Sequence, residues 1–248
     1  MADPIKQFVI TPIVPIQMGG LDLSFTNSSL WMAFAVIVSV VLFGLGVSKK
    51  SLVPGRLQVF TEMFYEFVSG MIRDSMGEKG KQFFPIIFTL FVMVLMGNLL
   101  GLIPHSFTFT SHIIVTVALA LMIFLMVTVI GIFKHGFGFF GLFSPPGVPF
   151  VLKFLVVPIE MISFFARPLT LSVRLFANMM AGHLVLKVFA GFSASMLSLG
   201  ALGVVASLVP MAFNVLIIAF EVLVALLQAY VFAILSAIYL NDTIEIHH

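Results

Sequence analysis

The chain has no cysteine, one tryptophan and three tyrosines, and only 9% of its 248 residues are charged. Without cysteine there is no disulfide, no thiolate metal site and no cysteine nucleophile, although the compartment is left open. So little charge does not suit a soluble domain of this size, and 61% of the residues are hydrophobic. A polytopic membrane protein is expected. Also missing are a Walker-type glycine-rich loop, an HExxH pair and a set of metal ligands on one face. Nucleotide chemistry, a metal centre, a cofactor and catalytic residues are therefore not expected. The net charge of +2 makes no case for nucleic acid, because the basic residues cluster beside apolar runs. No repeat of fixed period is present. The first twenty residues lack the basic-then-apolar order of a cleavable signal peptide.

The apolar runs that are present give a topology. A first span is expected over 30–47, after an outer N-terminal segment over 1–29, with Asn27, Ser28 and Ser29 as candidate caps. Six of the twelve Lys and Arg residues lie between Lys49 and Lys81, and none lies near Pro104 or Gly200. That bias makes the first loop cytoplasmic, the N-terminus outer and the C-terminus cytoplasmic. Over 51–75, Val59, Phe60, Met63, Phe64, Phe67, Met71 and Ile72 share one face, and Glu62, Glu66, Ser69 and Arg73 the other. This suits a helix in the interface plane, or equally a surface helix packed on the protein's own spans. A hairpin over 83–133 turns at GLIPHSFTFTSH, and KHGFGFFGLFSPPGVP reads as a cytoplasmic loop. Residues 150–240 hold two elements, from Phe150 to about Ala190 and from Val204 to Leu240. At about 1.5 Å per residue these are roughly 60 and 55 Å long, against a hydrocarbon core of ~30 Å. Pro158 and Pro168 are candidate kinks in the first. The expected fold is an all-α polytopic membrane protein forming a single membrane domain, 1–248.

Polar residues in the last two elements keep a period. Glu160, Arg167 and Arg174 are spaced by sevens, which returns them to nearly one helix face, and so are Asn214, Glu221 and Gln228. The stripes cross any would-be break, which favours two long tilted helices. If these pack antiparallel about a turn near Gly200 to Gly203, facing residues have numbers summing to about 402. Arg174 then meets Gln228, His183 meets Glu221, and Lys187 meets Asn214. His183, nine residues beyond Arg174, points to the opposite side of its helix. A buried His–Glu pair can exchange protons near neutral pH. On the cytoplasmic side of Arg174 the available groups are Glu160, Ser163, Arg167 and Thr170. An arginine at bilayer depth costs from about 3 to more than 10 kcal/mol, so it is rarely incidental. Placed between two polar pockets it repels a hopping proton and attracts a carboxylate, and it cannot itself deprotonate. No carboxylate of this chain faces it, so the expected partner is another subunit with a membrane-embedded Asp or Glu.

The runs RPLTLSVRLFANMMAGHL and LLQAYVFAILSAIYL resemble the two most distinctive segments of subunit a of F-type ATP synthases. NLLGLIPHSFTFTSHIIVTVALAL resembles the corresponding outer loop of alphaproteobacterial and mitochondrial members. The likeness runs from FTNSSLWM to IYL. It implies the stator half of a rotary proton channel in a bacterial inner membrane, or alternatively a mitochondrial one. The implied partners are a ring of c subunits with a membrane carboxylate, the b subunits of the peripheral stalk, the rest of the ATP synthase and membrane lipid. By the same resemblance, Arg174 matches the family's essential arginine, and His183 and Glu221 its outer proton-handling pair. Asn178, Asn214 and Gln228 match polar positions near the outer half-channel, and Glu160 the inner carboxylate. Gly101 stands where some bacterial members carry Asp, so Asn98, His105 or His112 is expected to supply that wall. Two readings compete. A self-contained secondary transporter would show repeated halves, and a purely structural anchor would not need the polar stripes.

Overall fold

With no water in the bilayer core to bond the backbone, an apolar run satisfies its peptide groups internally by becoming a helix. The structure, a computed structural model, describes residues 8–15, 17–18, 21–22, 24–48, 53–103, 106–143, 149–198 and 200–244. Lys49, Lys50, Pro104, His105, His247 and His248 lie outside the described residues. The described helices are α1 (Asn27–Ser48), α2 (Arg56–Met76), α3 (Phe84–Gly101), α4 (Ile113–His135), α5 (Phe150–Leu197) and α6 (Ala201–Ile244). Five helical stretches are long and apolar enough to cross a membrane: Asn27–Ser48, Arg56–Gly101, Ile113–His135, Leu152–Leu197 and Leu202–Ile244. The protein is all-α and polytopic. Its described strands are short and lie ahead of α1, where β1 (Pro12–Val14) pairs with β4 (Phe25–Thr26) and β2 (Gln17–Met18) with β3 (Leu21–Asp22).

Several details depart from the expectations. The first helix is capped one residue earlier: Thr26 Oγ1 accepts the Ser29 N–H at 3.3 Å, while Asn27 Oδ1 takes the Ser28 N–H at 2.9 Å and the Thr11 N–H at 3.2 Å. On α2 the buried stripe is Thr61, Val68, Met71, Ile72 and Met76, whereas Val59, Met63 and Phe67 are exposed. The apolar face is wider than the line of contact, so α2 packs on its neighbours along only one edge of it. The glycine-rich segment after α4 is a 3₁₀ helix over Gly136–Phe143, not an open loop. Phe139 is buried there beside Phe143 and Phe164. α5 and α6 run unbroken for 48 and 44 residues, which is about 72 and 66 Å. Pro158 and Pro168 sit inside α5, and Pro210 inside α6, without ending either helix. Gly200, at φ +80°, makes the reversal between them.

The main core lies where α2, α3, α4 and the last third of α6 meet, and includes Val68, Ile87, Phe91, Leu95, Phe232 and Leu240. In lipid, helices gain little from hiding apolar surface, so close approach at small residues matters more. Ala225, Ala229, Ala233 and Ala237, four apart on α6, are fully buried. Gly46 on α1 abuts the Thr61 side chain of α2, and Gly131 on α4 abuts Thr243 of α6 and Phe139. By contrast, α6 ahead of Gln228 buries a narrow line that includes Ser207, Pro210, Glu221 and Ala225. The rest of that half lies open.

Candidate functional site

α5 and α6 pack antiparallel and carry the site between them and on their open flank. Near the turn the pairing keeps close to the expected register: Phe189 stacks on Phe213, with ring centroids 5.8 Å apart. Further in, long side chains reach past it. Asn178 Nδ2 donates to Gln228 Oε1 at 3.0 Å, so Gln228 meets Asn178 instead of Arg174, one turn away. Helical side chains lean toward their own N-terminus, which carries the Gln228 amide outward along α5. The same lean takes Arg167 inward to Asp242, 3.4 Å away, with its guanidinium 4.8 Å above the Tyr239 ring.

The expected direct pair of His183 and Glu221 does not form. Both are buried, but His183 Nε2 bonds Thr108 Oγ1 at 3.0 Å in the turn between α3 and α4. Glu221 lies against Gly182, where a Cβ would overlap its carboxylate. Its Oε2 is buried without a hydrogen-bond partner, as are Gln228 Nε2 and Asn214 Oδ1. The two proton-handling candidates thus sit beside one glycine, whose missing side chain leaves room on α5 for the Glu221 carboxylate. Phe8 meets the His183 ring edge-on at 6.5 Å and lies under Lys187 Nζ at 5.7 Å.

A cavity of about 890 Å³ opens beside them. His183, Lys187, Asn214 and Ile218 line one wall, and Gly101, Ser106 and Phe107 another, with Asn27 and Trp31 of α1 completing the lining. The wall at Gly101 is therefore built by the turn itself. Neither Asn98 nor His112 borders the cavity, and His105 is outside the described residues. Asn98 is fully buried, and neither amide atom has a hydrogen-bond partner. His112, at the start of α4, stacks on Phe107 with centroids 4.9 Å apart, and burial pushes its imidazole below the ordinary range.

On the other side of α5, Ser163, Thr170, Arg174, Asn178 and Ala181 are all exposed, with Glu160 and Arg167 half-buried in the same helical line. Arg174 forms no ion pair among the described residues, nor does Glu160; the ion pairs there are Arg167–Asp242 and the i, i+3 pair Glu78–Lys81. A fixed cation thus stands on an open helix face at the middle of a membrane-length helix, back to back with the His183 cavity.

The sequence pattern of the ATP synthase A chain family matches residues 29–241. The chain belongs to that family. It is 57% identical over 246 residues to ATP synthase subunit a of Mesorhizobium japonicum, covering 99% of this chain and 98% of that one. It is 55% identical to that of Chelativorans sp., with 99% of each covered, and 53% identical to that of Agrobacterium fabrum, again with 99% of each covered. As an ATP synthase A chain the protein is a membrane proton-channel subunit of the Fo sector, working with the rest of the complex and carrying no catalytic chemistry. Its membrane-length helices and bacterial relatives fit a multi-pass inner-membrane protein.

Three contributors to this ATP synthase A chain site escape a reading by period. Thr108 lies in a turn, outside any stripe, and reaches His183 only through the fold. Asp242 lies in the run NDT at the end of α6, where an acidic residue reads as a solvated helix end. Gly182 has no side chain to signal its place. For Thr108 the available hint was four hydroxyl residues packed into SFTFTS.

Proposed function

We propose that the protein is the stator a subunit that forms two offset proton half-channels against a ring of c subunits, coupling proton passage to rotation and ATP synthesis. The observation that carries this reading is Arg174: a permanent cation, exposed on the flank of α5 and without an ion-pair partner among the described residues, opposite a wet-sized outer cavity. In a membrane such a charge needs a counter-ion from outside the chain.

A proton enters from the outer side through the cavity lined by His183, Lys187 and Asn214. It passes the Glu221–His183 region and neutralises a ring carboxylate, with Asn178 and Gln228 as the hydrogen-bonded pair beside that step. The neutral carboxylate enters lipid, and the ring turns almost a full circle before the proton leaves near Glu160 to the cytoplasm. Arg174 repels a proton attempting direct passage and holds the returning carboxylate charged. Each charge that crosses gains about 2.3 kcal/mol per 100 mV. The N-terminus lies outside and the C-terminus in the cytoplasm, and the b subunits of the peripheral stalk hold the chain against the ring.

The test is Arg174→Ala in the intact ATP synthase, assayed for proton-driven ATP synthesis in inner-membrane vesicles. Synthesis is expected to vanish while the complex still assembles. Undiminished synthesis in that variant overturns the reading.

A further inference from the structure

Thr108 joins two elements that carry the outer path. Its side chain is buried at 1% exposure. Its Oγ1 lies 3.0 Å from His183 Nε2 and 3.1 Å from the Gly101 carbonyl oxygen. A hydroxyl has one hydrogen to donate and can still accept another. When that hydrogen points to the Gly101 carbonyl, the oxygen accepts a proton-bearing Nε2 of His183. When it points to Nε2, the imidazole carries its hydrogen on Nδ1. The one hydroxyl therefore satisfies the charged ring and both neutral tautomers, with no covalent bond made or broken in Thr108. It is the hydrogen bond His183 makes among the described residues.

Gly101 is what permits the arrangement. A Cβ there would lie 2.5 Å from Thr108 Cγ2 and 2.8 Å from Oγ1. Ser106 Oγ donates to the same Gly101 carbonyl at 2.9 Å, which ties the turn to the end of α3. Among the described residues, the charged or titratable groups on the helices beside the ring are Lys187, one turn along α5, and Glu221 on α6, against Gly182. The turn presents hydroxyls, Ser106 and Thr108, and the N-terminal segment presents the Phe8 ring.

We propose that Thr108 is a positioning residue of the outer half-channel: its hydroxyl holds the His183 ring in one orientation through proton uptake and release by turning its hydrogen between Nε2 and the Gly101 carbonyl. This rests on the half-channel reading above. Because a bond to a charged donor is stronger than one between neutral groups, loss of the hydroxyl disfavours the charged ring more than the neutral one.

The experiment uses Thr108→Val, Thr108→Ser and Gly101→Ala in the intact ATP synthase, in inner-membrane vesicles, with subunit content quantified. Proton-driven ATP synthesis is measured against the pH of the outer-side compartment. Thr108→Val, which keeps the shape and removes the hydroxyl, is expected to lower the rate about tenfold and to move the profile to lower pH. Thr108→Ser is expected to keep the parent profile. Gly101→Ala, which pushes an intact hydroxyl off its seat, is expected to behave like Thr108→Val. A parent-like rate and profile in Thr108→Val overturns the proposal, and so does an equal loss in Thr108→Ser, since the methyl would then be what matters. Should Thr108→Val fail to assemble, Gly101→Ala decides: the parent profile there overturns the proposal, and the acid-shifted profile upholds it. Arg174→Ala, run alongside, separates failure of the half-channel reading from failure of this one.

Discussion

At the scale of single residues the outer path is organised by what small groups leave room for. Glu221 is buried with one carboxylate oxygen against Gly182 and the other without a hydrogen-bond partner. A side chain at 182 would have to displace that carboxylate or push α5 from α6. Gly182→Ala is therefore expected to lower proton-driven ATP synthesis roughly tenfold in vesicles. Adding Glu221→Asp, one methylene shorter, is expected to restore part of it. If Gly182→Ala alone matched the parent, the seat of Glu221 would be looser than this packing implies. Arg174 differs in kind, because it is exposed and forms no ion pair among the described residues. As a candidate it was legible from sequence through the cost of an arginine at bilayer depth, Glu221 through the sevenfold stripe and His183 through the antiparallel register. Their contacts were not legible, because Thr108 belongs to a different hairpin 75 residues away, and no periodicity reports a contact between a turn and a helix.

At the scale of elements, hydropathy alone located α3 and α4 to within about two residues, because lipid leaves a long apolar run little choice but helix. The two long helices were legible as helices because their polar residues kept phase across every candidate break. Their register was legible only as a backbone average. Gln228 and Arg167 overshoot it, since long side chains reach toward their own helix N-termini and, in an antiparallel pair, both displacements add. The buried edge of α2 was not legible for a related reason: its apolar face is broader than its contact, and lipid tolerates the surplus. These packing modes differ in energy. The Arg167–Asp242 pair is 29% and 41% exposed, so Asp242→Asn is expected to cost less than about 1 kcal/mol. Gly131→Val drives a side chain into Thr243 and Phe139 and is expected to cost about 1–3 kcal/mol. Thermal dissociation of the purified complex should fall further for Gly131→Val than for Asp242→Asn. The reverse order would show that the ion pair, not the glycine contact, secures the inner end of α6.

At the scale of the whole molecule the packing is lopsided, and on the proposed function the open flank is where a ring would run. Beyond Gln228, α6 is enclosed by its neighbours, whereas ahead of it only one line of residues is covered. Asn178 bonding to Gln228 shows which flank of α6 continues the Arg174 face of α5. At roughly 100° per residue, Phe220 and Leu227 project on that flank, while Ile218 projects on the other and lines the outer cavity. Phe220 and Leu227 are 65% and 52% exposed, Ile218 is 48% exposed, and Ala225 is fully covered. Exposure alone would let Ile218 meet a neighbour as readily as Leu227 does, so the two separate a rotor-facing flank from mere openness to lipid. The absence of cysteine from the chain makes the comparison clean. With one cysteine introduced beside the ring carboxylate, cysteines at Thr170, Ala181, Phe220 or Leu227 are expected to form disulfide cross-links to the ring under mild oxidation. Cysteines at Ile218 or Ala225 are expected to form none. Cross-linking through Ile218 and not through Leu227 would place the rotor on the cavity side, and Arg174 would then face lipid with no ring carboxylate to meet.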